Sequence, residues 1–274
     1  MKHILYPTDF SLNSEMALPY AVEMARLFKA DITLFNSYKL PYSKSNLIMS
    51  MQDRMRKDSL EELEKIKKRI LADDRYKDLK INIDSRVGSF VPLIPKVAND
   101  CSTNMIVMGT KGASSIKEMF IGSNTLEVIQ TTHCPVLAIP ENAEEVKINK
   151  IAMATDLLKV NSPERLNVLF KLAKITGAPI EFVNVVRKQD ESFSEEKTKQ
   201  AALLEEMAGD IPTSIHFTSN EDIIDGLSEY INEKKPDLVA MLSRKHSLFE
   251  RIFNKSITNK LSFRTEIPLL VIDE

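Results

Sequence analysis

The chain carries one pattern of strands and turns twice, and this repeat limits its folds more than any other feature. Ile4-Leu5-Tyr6-Pro7-Thr8-Asp9 aligns with Ile151-Ala152-Met153-Ala154-Thr155-Asp156, an apolar run closed by Thr-Asp both times. Leu34-Phe35-Asn36 aligns with Phe182-Val183-Asn184. With a small shift, Asn104-Met105-Ile106-Val107-Met108 aligns with Asp237-Leu238-Val239-Ala240-Met241-Leu242. The last pair is Cys134-Pro135-Val136-Leu137-Ala138-Ile139 and Ile267-Pro268-Leu269-Leu270-Val271-Ile272. Four matches in the same order indicate a duplication. A chain of 274 residues suits two domains of about 135 residues each. The expected domains are residues 1–143 and 148–274, joined by a polar, glutamate-bearing segment near residues 141–149.

Within the first half, strands alternate with helices. The spacing of Met16, Ala17, Tyr20, Ala21, Met24 and Leu27 predicts a helix capped by Ser11 or Ser14. Strands are expected at residues 4–6, 32–37, 81–87, 105–108 and 135–139, with further helices over about 46–72, 90–99 and from Asn124. Leu60, Leu63, Ile66, Lys67 and Ile70 mark the predicted inner face of the second helix. Such alternation predicts an α/β fold whose parallel sheet is covered on both faces. Parallel strands buried on both sides read as unbroken apolar runs, as Met105-Ile106-Val107-Met108 does.

Composition narrows the function. Hydrophobic residues make up 43% and charged residues 28%, enough for a core in each half without metal or disulfides. A formal net charge of -2 argues against a general polyanion binder, so no nucleic-acid partner is expected. No apolar run approaches the ~20 residues of a membrane span. No charged-then-apolar leader precedes Ile4, so a cytoplasmic protein is expected. Cys101 and Cys134 flank apolar runs outside any CxxC pair and are read as buried, reduced thiols.

The chemistry concentrates after the fourth strand, at Gly109-Thr110-Lys111-Gly112, nine further residues, then Gly122-Ser123. Glycine permits close backbone approach and positive φ. Convergent amides and a helix N-terminus favour an anion. Ser123 adds a hydroxyl, and Lys111 either a charge or a solvated side chain. The spacing is neither a Walker loop nor a dinucleotide fingerprint.

Pro7-Thr8-Asp9 together with this G-x-x-G-x9-G-[ST] pattern resembles the universal stress protein family, across nearly the whole chain. The resemblance implies two tandem Rossmann-like (adenine nucleotide alpha hydrolase-like) domains, each a five-stranded parallel sheet with helices on both faces. It implies ATP as ligand, with Mg as an accompanying ion left open. Pro7, Thr8 and Asp9 would lie at the adenosine end, Ser37 would border the base, and Met108 would pack on the nucleoside. Gly109, Lys111, Gly112, Gly122, Ser123 and Asn124 would surround the phosphates. Read alone, Asp9 is equally a helix cap and Met108 a core residue. The family also implies pairing through the last strands, within one chain or in a homodimer, and regulatory ATP binding with an unknown protein partner.

The second half departs from this pattern. Ser243, His246 and Ser256-Ile257 stand where the glycines would be, so no ATP is expected there. His246, in Arg244-Lys245-His246, reads as a solvated group or an anion or metal ligand. Met49, Met51 and Met55 read as a helix face over the sheet or a partner surface. No acidic pair or His/Arg constellation near the loop marks an enzyme. Slow ATP hydrolysis, or a different ligand for the second half, is the alternative reading.

Overall fold

The computed structural model describes residues 1–40, 47–110, 121–143, 146–186, 195–243 and 267–273, with backbone alone at 47–50. The chain divides into two compact units, passing from the first to the second between Glu141 and Asn142. Among the described residues no helix is long and apolar enough to cross a membrane.

The first unit runs β1 (His3–Pro7), α1 (Leu12–Phe28), β2 (Asp31–Tyr38), α2 (Leu47–Leu71), β3 (Ile81–Val87), α3 (Phe90–Asp100), β4 (Met105–Gly109), α4 (Ser123–Thr131) and β5 (Val136–Ile139). Its strands lie in the order β3-β2-β1-β4-β5, and the pairings are parallel. Right-handed crossovers carry α1 and α2 to one face and α3 and α4 to the other, because the chain steps outward from β1 and then returns past it. The second unit repeats the plan. It has β6 (Ile151–Ala154), a 3-10 turn at Pro163–Leu166, α5 (Asn167–Thr176), β7 (Ile180–Val186), α6 (Glu195–Ala208), β8 (Thr213–Ser219), α7 (Ile223–Lys234), β9 (Leu238–Ser243) and β10 (Leu269–Asp273). Its order is β10-β9-β6-β7-β8, again parallel.

The central strands are closed to water from both sides. Ile4, Leu5, Tyr6, Met105, Ile106 and Val107 have no exposed surface, and each such large apolar side chain contributes roughly 1.5–3 kcal/mol by burial. In α1 the core face is Ala17, Tyr20, Ala21 and Met24, widened by Leu18, Val22 and Ala25. Met16, part of the same apolar spacing, is 40% exposed, and Leu27 is half-buried. Ser11 caps this helix by accepting the Ser14 N–H. Ser14 lies one turn inside, where its hydroxyl donates back to the Ser11 carbonyl at 2.8 Å. On α2 the inner face is Leu63, Ile66 and Ile70 together with Ser59, while Leu60 and Lys67 are only half-buried. Cys101 and Cys134 are free and half-buried rather than fully buried.

The duplication persists at single hydrogen bonds. Asn36 Nδ2 donates to the Thr8 carbonyl at 2.7 Å, and Asn184 Nδ2 to the Thr155 carbonyl at 2.8 Å. Asn104 Oδ1 accepts from the Lys2 and His3 amides, and Asp237 Oδ2 from those of Asn149 and Lys150. The residue after each Thr-Asp is left-handed, Phe10 at φ 61 and Leu157 at φ 53. One difference is telling. Asn36 Oδ1 accepts from Ser59 Oγ at 2.8 Å, whereas Asn184 Oδ1 is buried with no hydrogen-bond partner among the described residues.

Removing a satisfied buried group leaves its partners unpaired, at about 1–3 kcal/mol. Asn36→Ala should therefore lower the stability of the first unit by about that amount, and Asn184→Ala should cost the second unit less, because its carbonyl has no bond to lose. Denaturant titration of both variants measures the two losses; equal losses would contradict the difference.

Candidate functional site

The strand order fixes where a ligand can enter. In the first unit the connections leaving β1 and β4 turn to opposite faces, so a crevice opens beyond their carboxyl ends, the usual ligand position in open α/β sheets. A cavity of about 260 Å³ lies there, lined by Pro7, Thr8, Asp9, Ser14, Ser37, Lys39, Gly88, Phe90, Met108, Gly109, Asn124 and Thr125. Seven residues singled out from sequence thus share one cavity: Pro7, Thr8, Asp9, Ser37, Met108, Gly109 and Asn124. Gly122 and Ser123 stand at the start of α4, next to Asn124 but outside the lining. Lys111 and Gly112, like His246, Ser256 and Ile257 of the second half, fall outside the described residues.

The β1 corner is built by short polar bonds. The Thr8 amide donates to the Phe35 carbonyl at 2.8 Å and continues the β1–β2 ladder. Thr8 Oγ1 accepts the Phe10 N–H at 3.0 Å and pairs with Ser14 Oγ at 2.9 Å. Asp9 Oδ1 accepts the Ser11 amide at 3.1 Å and the Ser11 hydroxyl. Asp9 is therefore an exposed turn former at the mouth of α1, and it lines the cavity as well. Asp156 makes the matching bond to the Leu158 amide at 3.1 Å.

The β4 side supplies amides. Gly122 is the N-cap of α4 and has no side chain to satisfy the first-turn N–H groups. Those amides and the helix dipole make a positive end beside Asn124 and Thr125. Gly122 has φ -67 and ψ 158, an extended conformation open to any residue. The positive φ expected of this loop is thus not found there, nor at Gly109, which lies in β4. Gly122 is buried, and its N–H donates to the Thr110 carbonyl at 2.6 Å, drawing the strand end and helix start together. Thr125 Oγ1 donates to the Gly109 carbonyl at 3.0 Å and ties α4 to β4.

Sequence reasoning missed Ser14, Lys39, Gly88, Phe90 and Thr125. The signal for Gly88 was present in Val87-Gly88-Ser89, a glycine between a strand and a helix. It has φ +143, and a Cβ there would lie 3.1 Å from Leu93 Cδ1. The cavity therefore has an apolar lining of Pro7, Met108 and Phe90, a lysine, a carboxylate, several hydroxyls and a helix N-terminus alongside. That set suits a ligand with a flat apolar part and an anionic part.

Two parallel five-stranded units, one with a crevice at its topological switch point, define a tandem protein of the Rossmann-like class. The chain matches the universal stress protein family over residues 1–140 and again over 147–273, and it belongs to that family. It is 29% identical over 156 residues to a universal stress protein of Methanocaldococcus jannaschii, covering 50% of this chain and 94% of that protein. A second universal stress protein of the same archaeon is 29% identical over 150 residues, covering 53% of this chain and 85% of its own. A solved universal stress protein of Archaeoglobus fulgidus has the same fold, with TM-score 0.77 and 21% identity over 99% of this chain and 98% of its own.

Tyr6 braces this corner from below. Its hydroxyl donates to the Ser14 carbonyl at 2.6 Å, and burial pushes its pKa up to about 12. The folded state holds this proton more tightly than the unfolded chain, whose phenol ionises near pH 10. The stabilisation is therefore complete below about pH 10 and is lost as pH rises through about 12. Tyr6→Phe should flatten the fall in stability across that window, read by denaturant titration at stepped pH; an unchanged slope would count against the assignment.

Proposed function

We propose that the first unit, taken as residues 1–143, binds ATP and serves as a nucleotide-responsive module rather than a turnover enzyme. The nucleoside occupies the cavity, with Pro7 and Met108 against it, Asp9 and Thr8 at the ribose side and Ser37 beside the base. The phosphates run toward Gly109, Asn124 and the first turn of α4, where Gly122 and Ser123 stand, and Lys111 and Gly112 complete the loop.

One observation carries this reading. Residues from two motifs about a hundred positions apart line a single cavity at the switch point, beside a helix N-terminus whose cap residue, Gly122, has no side chain. A volume of about 260 Å³ lies slightly below the roughly 300–1,000 Å³ of most ligand pockets. It therefore suits the nucleoside, with the anionic chain extending along the helix start. Among the described residues lining the cavity there is no acidic pair or arginine to supply the positioned groups that phosphoryl transfer needs.

The second unit, taken as residues 148–274, retains the Thr155-Asp156 corner, but the strand register corrects the sequence alignment: Leu242, not Ser243, stands at the place of Gly109, pairing with Ile272 as Gly109 pairs with Ile139. A side chain there fills space that bare backbone leaves to phosphate. One nucleotide per chain follows. Isothermal calorimetry should find a single ATP site, and Gly122→Val, which fills the buried helix start, should weaken binding at least tenfold. Two equal sites, or undiminished affinity in the variant, would overturn the proposal.

A further inference from the structure

The β3–α3 junction adds a wall to the cavity that neither glycine loop nor Thr-Asp corner supplies. Phe90 is the first residue of α3 and extends the stripe formed by Ile94, Val97 and Ala98. Those three are at most 4% exposed, whereas Phe90 is half-buried and lines the cavity. A phenyl ring left partly open at a cavity wall leaves apolar surface in water that a flat ligand would cover.

Gly88 and Lys39 line the same end. β2 and β3 pair in register up to Tyr38 and Val87, so Lys39 and Gly88 leave the sheet side by side. Gly88 at φ +143 turns the chain sharply into α3, and its missing Cβ spares a 3.1 Å contact with Leu93. The turn thereby sets Phe90 at the cavity. This end lies across β1 from Gly109 and the α4 N-terminus, so the anionic part of a ligand held there directs its other part toward Phe90.

Resting on the ATP reading above, we infer that Phe90 is a base-stacking residue and that the β3–α3 junction sets the affinity of this site for the nucleobase. Aromatic stacking is tolerant of base identity, because every base presents a π-face. Phe90 therefore contributes to affinity for purine nucleotides in general rather than selecting adenine.

The chain contains no tryptophan, so Phe90→Trp introduces a single indole reporter in the intact protein. ATP should quench its emission, with a midpoint equal to the calorimetric Kd of the same variant. Phe90→Ala should bind ATP about tenfold more weakly, and Phe90→Tyr should restore near-wild-type affinity. Wild-type affinity in Phe90→Ala, or indole emission indifferent to ATP that calorimetry shows to be bound, would overturn the stacking role and leave the ATP site standing. Wild-type protein that binds no ATP would overturn the ATP site itself, and this inference with it.

Discussion

Strand β1 is hydrogen-bonded on one edge to β2 and on the other to β4, and the architecture of the site follows from this double pairing. The connections leaving β1 and β4 go to opposite faces of the sheet, so a crevice opens between them at the carboxyl end of β1. The crevice is a consequence of topology before any side chain is considered. The residues lining it include those at the ends of these strands: Pro7 and Thr8 from β1, Ser37 from β2, Met108 and Gly109 from β4.

Around this opening the polar groups fall into two classes. Thr8, Ser11, Ser14 and Asn36 hydrogen-bond to the backbone, to one another, to Asp9 and to Ser59, fixing the corner. The first amides of α4 have no side chain at the N-cap to meet them. Buried polar groups normally find partners, and a preorganised helix end offers them to an anion at little reorganisation cost. Rigidity on the β1 side and a helix start whose cap residue has no side chain on the β4 side are complementary properties of one site.

Much of this could be read in the sequence because it rests on local chemistry. Apolar runs such as Met105-Ile106-Val107-Met108 specify doubly covered strands, and the repeated Thr-Asp specifies a repeated corner. Lys39, Gly88 and Phe90 escaped because their approach to Met108 depends on the order of strands, which periodicity does not encode. Thr125 escaped for a related reason: its bond to the Gly109 carbonyl appears only when α4 lies back against β4. At Gly122 the argument from backbone freedom gave the wrong reason. Its φ of -67 is ordinary, and closeness to Thr110, not a special angle, distinguishes the position.

The left-handed corners at Phe10 and Leu157 bear on how the two halves have parted. A non-glycine residue in that region costs roughly 1–2 kcal/mol, and both units carry it at the same step after Thr-Asp. Strain retained in both copies belongs to the chassis. The aspartates that turn with it, Asp9 and Asp156, are therefore masonry first, and their presence in a sequence of this kind is a poor guide to which half holds cargo.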